Sequence, residues 1–152
     1  MWTELLKTDN FDSFIATQKC CADHYKDFDQ STIGWCFEYR EKFRMFHYCD
    51  DDYEINLATN MESPEAIRVS IVGVNKCLDL TIAINKIIDK INEIVSEYGV
   101  NRVVATWQDN NLDLVNSFYF GLANTFVNQS FTGSIKNPRE HVYTADVIRY
   151  SN

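Results

Sequence analysis

Apolar residues recur at helical spacing through Leu80, Ile84, Ile87, Ile88, Ile91, Ile94, Val95 and Tyr98, and the runs on either side follow a different period. A stripe at i, i+3 and i+4 gives a helix one buried face. Asp79 stands where an N-cap belongs, and Gly99 stands where a helix ends most cheaply in the left-handed conformation. The flanking runs are Ile67-Arg68-Val69-Ser70-Ile71-Val72-Gly73-Val74 and Arg102-Val103-Val104-Ala105-Thr106-Trp107. Both are rich in β-branched residues and predict strands. A helix of this length between two strands predicts a crossover with the strands parallel.

Upstream the period is two. Ile33, Trp35, Phe37 and Tyr39 alternate with Gly34, Cys36, Glu38 and Arg40, which predicts a half-buried strand. Phe43 to Cys49 alternates again after a turn at Glu41-Lys42. The Asp50-Asp51-Asp52 run resists burial and predicts the next turn, and Tyr53, Ile55, Leu57 and Thr59 predict another strand. Ser63-Pro64-Glu65 then breaks the chain before the strand at 67–74. At the N-terminus, residues 2–7 predict a short helical turn. Residues 11–28 predict an amphipathic helix through Phe11, Phe14, Ile15, Ala22, Tyr25 and Phe28, capped by Asp9 or Asn10.

Downstream, a helix from Leu112 to Asn124 buries Leu112, Val115, Phe118, Tyr119 and Leu122. Strands at 126–131 and 142–150, joined by a loop from Gly133 to Arg139, close the sheet. The expected order is helix, helix, strand, strand, strand, strand, helix, strand, helix, strand, strand. That is an α/β chain with a mixed sheet, in which an antiparallel meander leads into a βαβ crossover and a C-terminal β-hairpin.

Composition adds limits. A chain of 152 residues, 45% hydrophobic and 14% aromatic, buries one good core, so a single domain over 1–152 is expected. A net charge of −8 argues against a broad nucleic-acid surface, because such binding depends on many Lys and Arg contacts to phosphate. Arg40, Lys42 and Arg44 form a small basic patch that reads as a solvated hairpin end. No apolar run reaches the roughly 18 residues of a membrane span, and Met1 to Lys7 lacks the pattern of a signal peptide. Five cysteines without framework spacing suit a reducing, intracellular setting. Cys20 and His24 stand four apart, but no second pair at ligand spacing accompanies them, so no metal is expected.

Candidate chemistry is sparse. There is no G-x-S-x-G elbow, H-E-x-x-H, Walker loop or C-x-x-C. Glu38 and Glu54 each read as facing one side of a strand and are candidate bases for an amine, with solvated surface as the plainer reading. His47 and His141 are single strand histidines without a visible partner.

The element order resembles the GNAT N-acetyltransferase fold without its first strand, over about residues 11–150. A local motif supports the likeness. After the strand ending at Trp107, such proteins carry an asparagine and then A-x-x-x-Y-x-x-x-G-F on the next helix. Here the run is Asn110-Asn111-Leu112-Asp113-Leu114-Val115-Asn116-Ser117-Phe118-Tyr119-Phe120-Gly121-Leu122-Ala123-Asn124. Tyr119 matches the tyrosine, Val115 takes the alanine position, and Ala123-Asn124 replaces Gly-Phe; Asn111 lies one residue from the expected asparagine. The resemblance implies acetyl-CoA as cofactor, Tyr119 as general acid toward the departing thiolate, and Asn111 as a cofactor contact. It also implies a cofactor surface at Val72, Gly73, Val74, Asn75 and Lys76, where the strands of this fold splay apart.

The chain departs from the pattern at the diphosphate loop. Family members have Q/R-x-x-G-x-G/A there, and the glycines let backbone N–H groups approach the phosphates at a helix N-terminus. The equivalent stretch here is Val72-Gly73-Val74-Asn75-Lys76-Cys77-Leu78-Asp79, with one glycine and a carboxylate at the helix start. Two negative groups at one helix end repel by about 1 kcal/mol or more when partly buried. Two functions follow as expectations. One is a divergent acyl-CoA-dependent N-acyltransferase with a poor diphosphate grip, acting on an amine substrate. The other is a non-enzymatic binding or assembly module of the same fold with a protein partner, as in an internal virion protein of short-tailed phages. The expected location is cytoplasmic, or the host cytoplasm or virion for a phage product. An unrelated α+β domain sharing the order by chance is the third alternative.

Overall fold

A computed structural model describes residues 1–19, 29–39, 43–64, 66–100, 102–109, 117–118, 129–131 and 143–150. The strands are β1 (Trp2–Leu5), β2 (Arg44–Cys49), β3 (Tyr53–Ser63), β4 (Ala66–Cys77), β5 (Arg102–Asp109), β6 (Gln129–Phe131) and β7 (Tyr143–Tyr150). Among the described residues they form one sheet in the order β1-β2-β3-β4-β5-β7-β6. Strands β1 to β4 are antiparallel to their neighbours, β4 and β5 are parallel, and β5, β7 and β6 are antiparallel. The helices are α1 (Asp12–Lys19), α2 (Gln30–Tyr39) and α3 (Leu80–Tyr98). No helix among the described residues is long and apolar enough to cross a membrane.

Both faces of the sheet are covered, so successive residues of β2, β3 and β4 are buried on opposite sides. On one face Ala83, Ile84, Ile87, Ile88, Ile91, Ile94 and Val95 of α3 share a core with Phe46, Tyr53, Ile55, Leu57, Ile67, Val69, Val72 and Val103. On the other, Phe11, Phe14 and Ile33 from the α1–α2 layer share a core with Phe43, Met45, Ala58 and Ile71. The α3 termini match the expectation. Asp79 caps through its side chain to the Ile82 amide, and Gly99 ends the helix at φ 62°, ψ 24°.

Two sequence expectations are corrected. Residues 33–39 belong to helix α2, not to a strand. Ile33 and Phe37 are four apart, a spacing that satisfies a period of two and a helical face equally. Local capping decides between them: Asp29 Oδ1 accepts the Thr32 amide at 2.9 Å and the Thr32 hydroxyl at 3.1 Å. Gln30 pins the start by accepting the Phe11 amide and donating to the Asp9 carbonyl. Phe37 then packs on Phe11 and Phe43, with ring centroids 5.6 and 5.7 Å apart.

The helical turn expected at 2–7 is instead strand β1, so the first strand that the expected order lacks is present. Tertiary pairing overrides local preference here. Trp2 lies opposite Tyr48 in the β1–β2 register, and their rings meet edge to face at 5.6 Å. β4 also runs three residues beyond its expected end, through Asn75, Lys76 and Cys77, because that segment stays paired with β3. The helix expected over 11–28 is described to Lys19. Of the helix expected over 112–124, residues 117 and 118 are described; both are helical, and Phe118 is fully buried in the α3 core.

Candidate functional site

β4 and β5 are in register from Ala66↔Arg102 to Val69↔Ala105 and then part. The divergence coincides with a β-bulge. Thr59 faces Val69 and Ala58 faces Ile71, which leaves Ser70 as the extra residue on β4. A bulge bends its strand and increases local twist, turning the far half of β4 away from its neighbour. From Ile71 to Val74 one edge of β4 is paired with β3, while its opposite edge has no strand partner among the described residues. Val72 and Gly73 are buried at this edge and Val74 is half-buried.

Past this opening, the approach to α3 is short and its polar groups are engaged. β4 ends at Cys77, and Leu78 and Asp79 alone precede the helix. The Leu78 amide donates to the Asp52 carbonyl at 3.1 Å, and the Lys76 ammonium donates to the Asp51 carbonyl. The Asp79 carboxylate accepts the Ile82 amide at 3.1 Å. The helix N-terminus therefore carries its own anion. Burial pushes the Cys77 thiol above its ordinary range, and the charge of Asp79 adds to this.

A second bulge shapes the α1 side of the same strand. Ile55 faces Val74 and Glu54 faces Lys76, so Asn75 is the extra residue. Its amide donates to Ser13 Oγ at 2.8 Å, to the Ser13 carbonyl at 3.1 Å and to Glu54 Oε1 at 3.0 Å. Ser13 Oγ donates to Glu54 Oε1 at 3.2 Å, and Asn56 Nδ2 donates to Ser13 Oγ at 3.0 Å. Asn56 is fully buried, and its Oδ1 lies 2.8 Å from His47 Nδ1. Strand β2, strand β3, strand β4 and helix α1 thus contribute to one polar network.

Of the residues singled out from the sequence, Val72, Gly73 and Val74 lie on the divergent part of β4, with Asn75 and Lys76 following them. The side chains of Asn75 and Lys76 are held by Ser13, Glu54 and Asp51. Tyr119, Asn111, His141, Cys20, His24, Arg40 and Lys42 lie outside the described residues. Glu38 is exposed on α2 and Glu54 sits on β3, so the two do not share a strand face. Arg44 is not a solvated hairpin end: it forms a forked bridge to Glu4 at 2.6 Å and reaches Glu97 at 2.8 Å. His47, read as partnerless, contacts Asn56. The missed signal was register, because the turn at Asp50-Asp51-Asp52 puts His47 opposite Asn56 and Cys49 opposite Glu54.

No protein-family model matches the chain, and no curated protein matches its sequence. Solved structures do match. An aminoglycoside 6'-acetyltransferase of type Ii superposes with a TM-score of 0.67 at 9% identity, over 99% of this chain and 96% of the other. A GNAT family acetyltransferase from Elizabethkingia anophelis, with acetyl-CoA bound, gives 0.62 at 6% identity over 99% and 97%. A probable acetyltransferase from Staphylococcus epidermidis gives 0.63 at 14% identity over the whole of both chains. The chain has the GNAT fold.

Proposed function

We propose that this chain is a divergent N-acyltransferase that takes an acyl-CoA by its pantetheine arm and grips the diphosphate weakly. The observation that carries the reading is the departure of β5 from β4 after Val69 on a GNAT fold. A strand edge without a strand partner offers alternating N–H and C=O groups, and an extended amide-bearing arm can pair with it as an added strand does. Val72, Gly73 and Val74 supply that edge, and Gly73 adds no side chain to it. Asn75 and Lys76 take part through their main chain, since their side chains are engaged elsewhere. When bound, the cofactor supplies a thioester activated toward amine attack. Tyr119 is assigned, from the motif, to give its hydroxyl proton to the departing thiolate, and Asn111 to contact the cofactor. The α3 N-terminus does not fit a diphosphate well, because the Asp79 carboxylate already accepts the Ile82 amide there and brings its own negative charge.

That same capped terminus favours a second reading, a binding module of this fold that uses no cofactor. Calorimetry separates the two. Acetyl-CoA and acetyl-pantetheine are titrated into the full chain at up to millimolar concentration. The acyltransferase reading expects both to bind, with affinities within about tenfold, a difference of about 1.4 kcal/mol. Binding of neither supports the module. A thousandfold preference for acetyl-CoA removes the claim of a weak diphosphate grip.

A further inference from the structure

We propose that His47, Cys49 and Glu54 form a binding site for one borderline divalent cation of the zinc class, on the α1 side of the β2–β3 hairpin. The donor atoms of these three side chains lie within 4.8 Å of one another, and His47 Nε2 is 3.9 Å from Glu54 Oε2. The backbone makes this arrangement. His47 and Cys49 are two apart on β2 and share a face, and Glu54 is directly across from Cys49. Asp50 Oδ1 accepts the amides of Asp52 and Tyr53, each at 2.8 Å, which fixes the turn and the register.

The hydrogen-bond directions give the second, independent argument. Ser13 Oγ donates to Glu54 Oε1 and accepts from Asn56 Nδ2, so the Asn56 amide is turned with its nitrogen toward Ser13. Asn56 Oδ1 faces His47 Nδ1 at 2.8 Å, which orients the ring with Nε2 toward Glu54. His47 Nε2 in turn faces Glu54 Oε2 across 3.9 Å. A gap of that size between a ring nitrogen and a carboxylate oxygen is one that a single divalent cation can bridge with both as ligands. The surroundings match the usual support of a metal site: a buried amide orients the imidazole through its other nitrogen, and Ser13 and Asn75 hold the second carboxylate oxygen.

One nitrogen, one thiolate and one carboxylate oxygen suit zinc or cobalt better than magnesium or calcium. Bonds of about 2.0–2.3 Å put tetrahedral ligand atoms about 3.3–3.8 Å apart. The donor atoms lie within 4.8 Å of one another, wider than that, and the Cys49 side chain that would close in is exposed. Three protein ligands leave a fourth position to solvent.

The test uses the full chain after treatment with a chelator and a thiol reductant, titrated with Zn²⁺ by calorimetry and with Co²⁺ by absorption. One equivalent of Zn²⁺ is expected to bind at micromolar or tighter affinity. Co²⁺ is expected to give tetrahedral visible bands and a thiolate charge-transfer band. His47→Gln and Cys49→Ser should each weaken binding about a hundredfold, and Cys49→Ser should delete the charge-transfer band while the circular dichroism is unchanged. Cys20→Ser is the control and should change nothing. Absence of stoichiometric binding overturns the proposal. So does binding that survives both hairpin variants, or that is lost in Cys20→Ser. None of these outcomes bears on binding of acetyl-CoA.

Discussion

The Asp79 carboxylate accepts the amide of Ile82 at 3.1 Å, so the N-terminus of α3 is closed by the chain's own anion. A helix start carries about half a positive charge on amides that lack partners, and whatever anion sits there takes most of its benefit. A glycine loop would leave those amides to a diphosphate. Here β4 stays paired to β3 through Cys77, and Leu78 is tied to Asp52, so the chain has no slack to form such a loop. The same fold thus keeps a parted β4–β5 edge and gives up a free helix terminus.

Neutralising that cap should strengthen cofactor binding. Asn caps helices about as well as Asp, so Asp79→Asn keeps α3 intact while removing the charge. Acetyl-CoA affinity should rise by about fivefold, corresponding to about 1 kcal/mol of relieved repulsion. Acetyl-pantetheine affinity should not move, because that ligand brings no diphosphate. Equal gains for both ligands in calorimetry would count against charge at the helix terminus as the cause.

The same carboxylate should be felt at Cys77. Its thiol is exposed yet held above the ordinary range, first by desolvation and then by Asp79. Alkylation requires the thiolate, so at neutral pH Cys77 should react with iodoacetamide more slowly than in the denatured chain. Asp79→Asn should recover part of that rate. Peptide mass spectrometry over a time course reads both, and a native rate equal to the denatured one would refute the argument.

The parts legible in the sequence were those decided locally. Helix α3 was readable because its stripe, Asp79 and Gly99 all agree, and the β2–β3 turn was readable because three aspartates in a row cannot be buried. Residues 33–39 are ambiguous because Ile33 and Phe37 fit both periods, and it is the Asp29 cap that settles the matter. Strand β1 was hidden because its reason to be a strand lies on β2, at Tyr48 and Arg44. The polar network was least legible. Asn75 meets Ser13 across 62 positions, and only the bulge at Asn75 aims its amide there.

The bridge between Arg44 and Glu4 sets a pH dependence. Arg44 donates twice to Glu4, once to Glu97, and lies over the rings of Phe46 and Tyr98 at 4.9 and 5.4 Å. Its hydrogen bonds hold the Glu4 carboxyl below the usual value of 4.5. A carboxyl whose folded pKa is depressed adds stability above its unfolded value, and that stability is lost as pH falls through the folded one. The Glu4→Gln variant should therefore unfold at lower urea than the parent at neutral pH. The gap should stay under about 1 kcal/mol, because Glu4 is partly exposed and screened. It should vanish once the pH is well below the depressed value. A gap that persists in acid would assign the effect to packing and not to charge.

Two glycines should respond to alanine with opposite signs. Gly99 holds φ at +62°, and a Cβ built there meets nothing within 4 Å, so the whole penalty of Gly99→Ala is the left-handed backbone. That costs about 1 kcal/mol, or about 2–4 °C in Tm for a chain of this size. Gly34 lies inside α2 with equally open space around its missing Cβ and no positive φ. There alanine lowers the entropy of the unfolded chain and raises helix propensity, so Gly34→Ala should gain about 0.5–1 kcal/mol. Thermal melts of the two variants beside the parent check both. A loss at Gly34 would argue against the helical assignment of 30–39 and return that segment to the strand its alternation suggests.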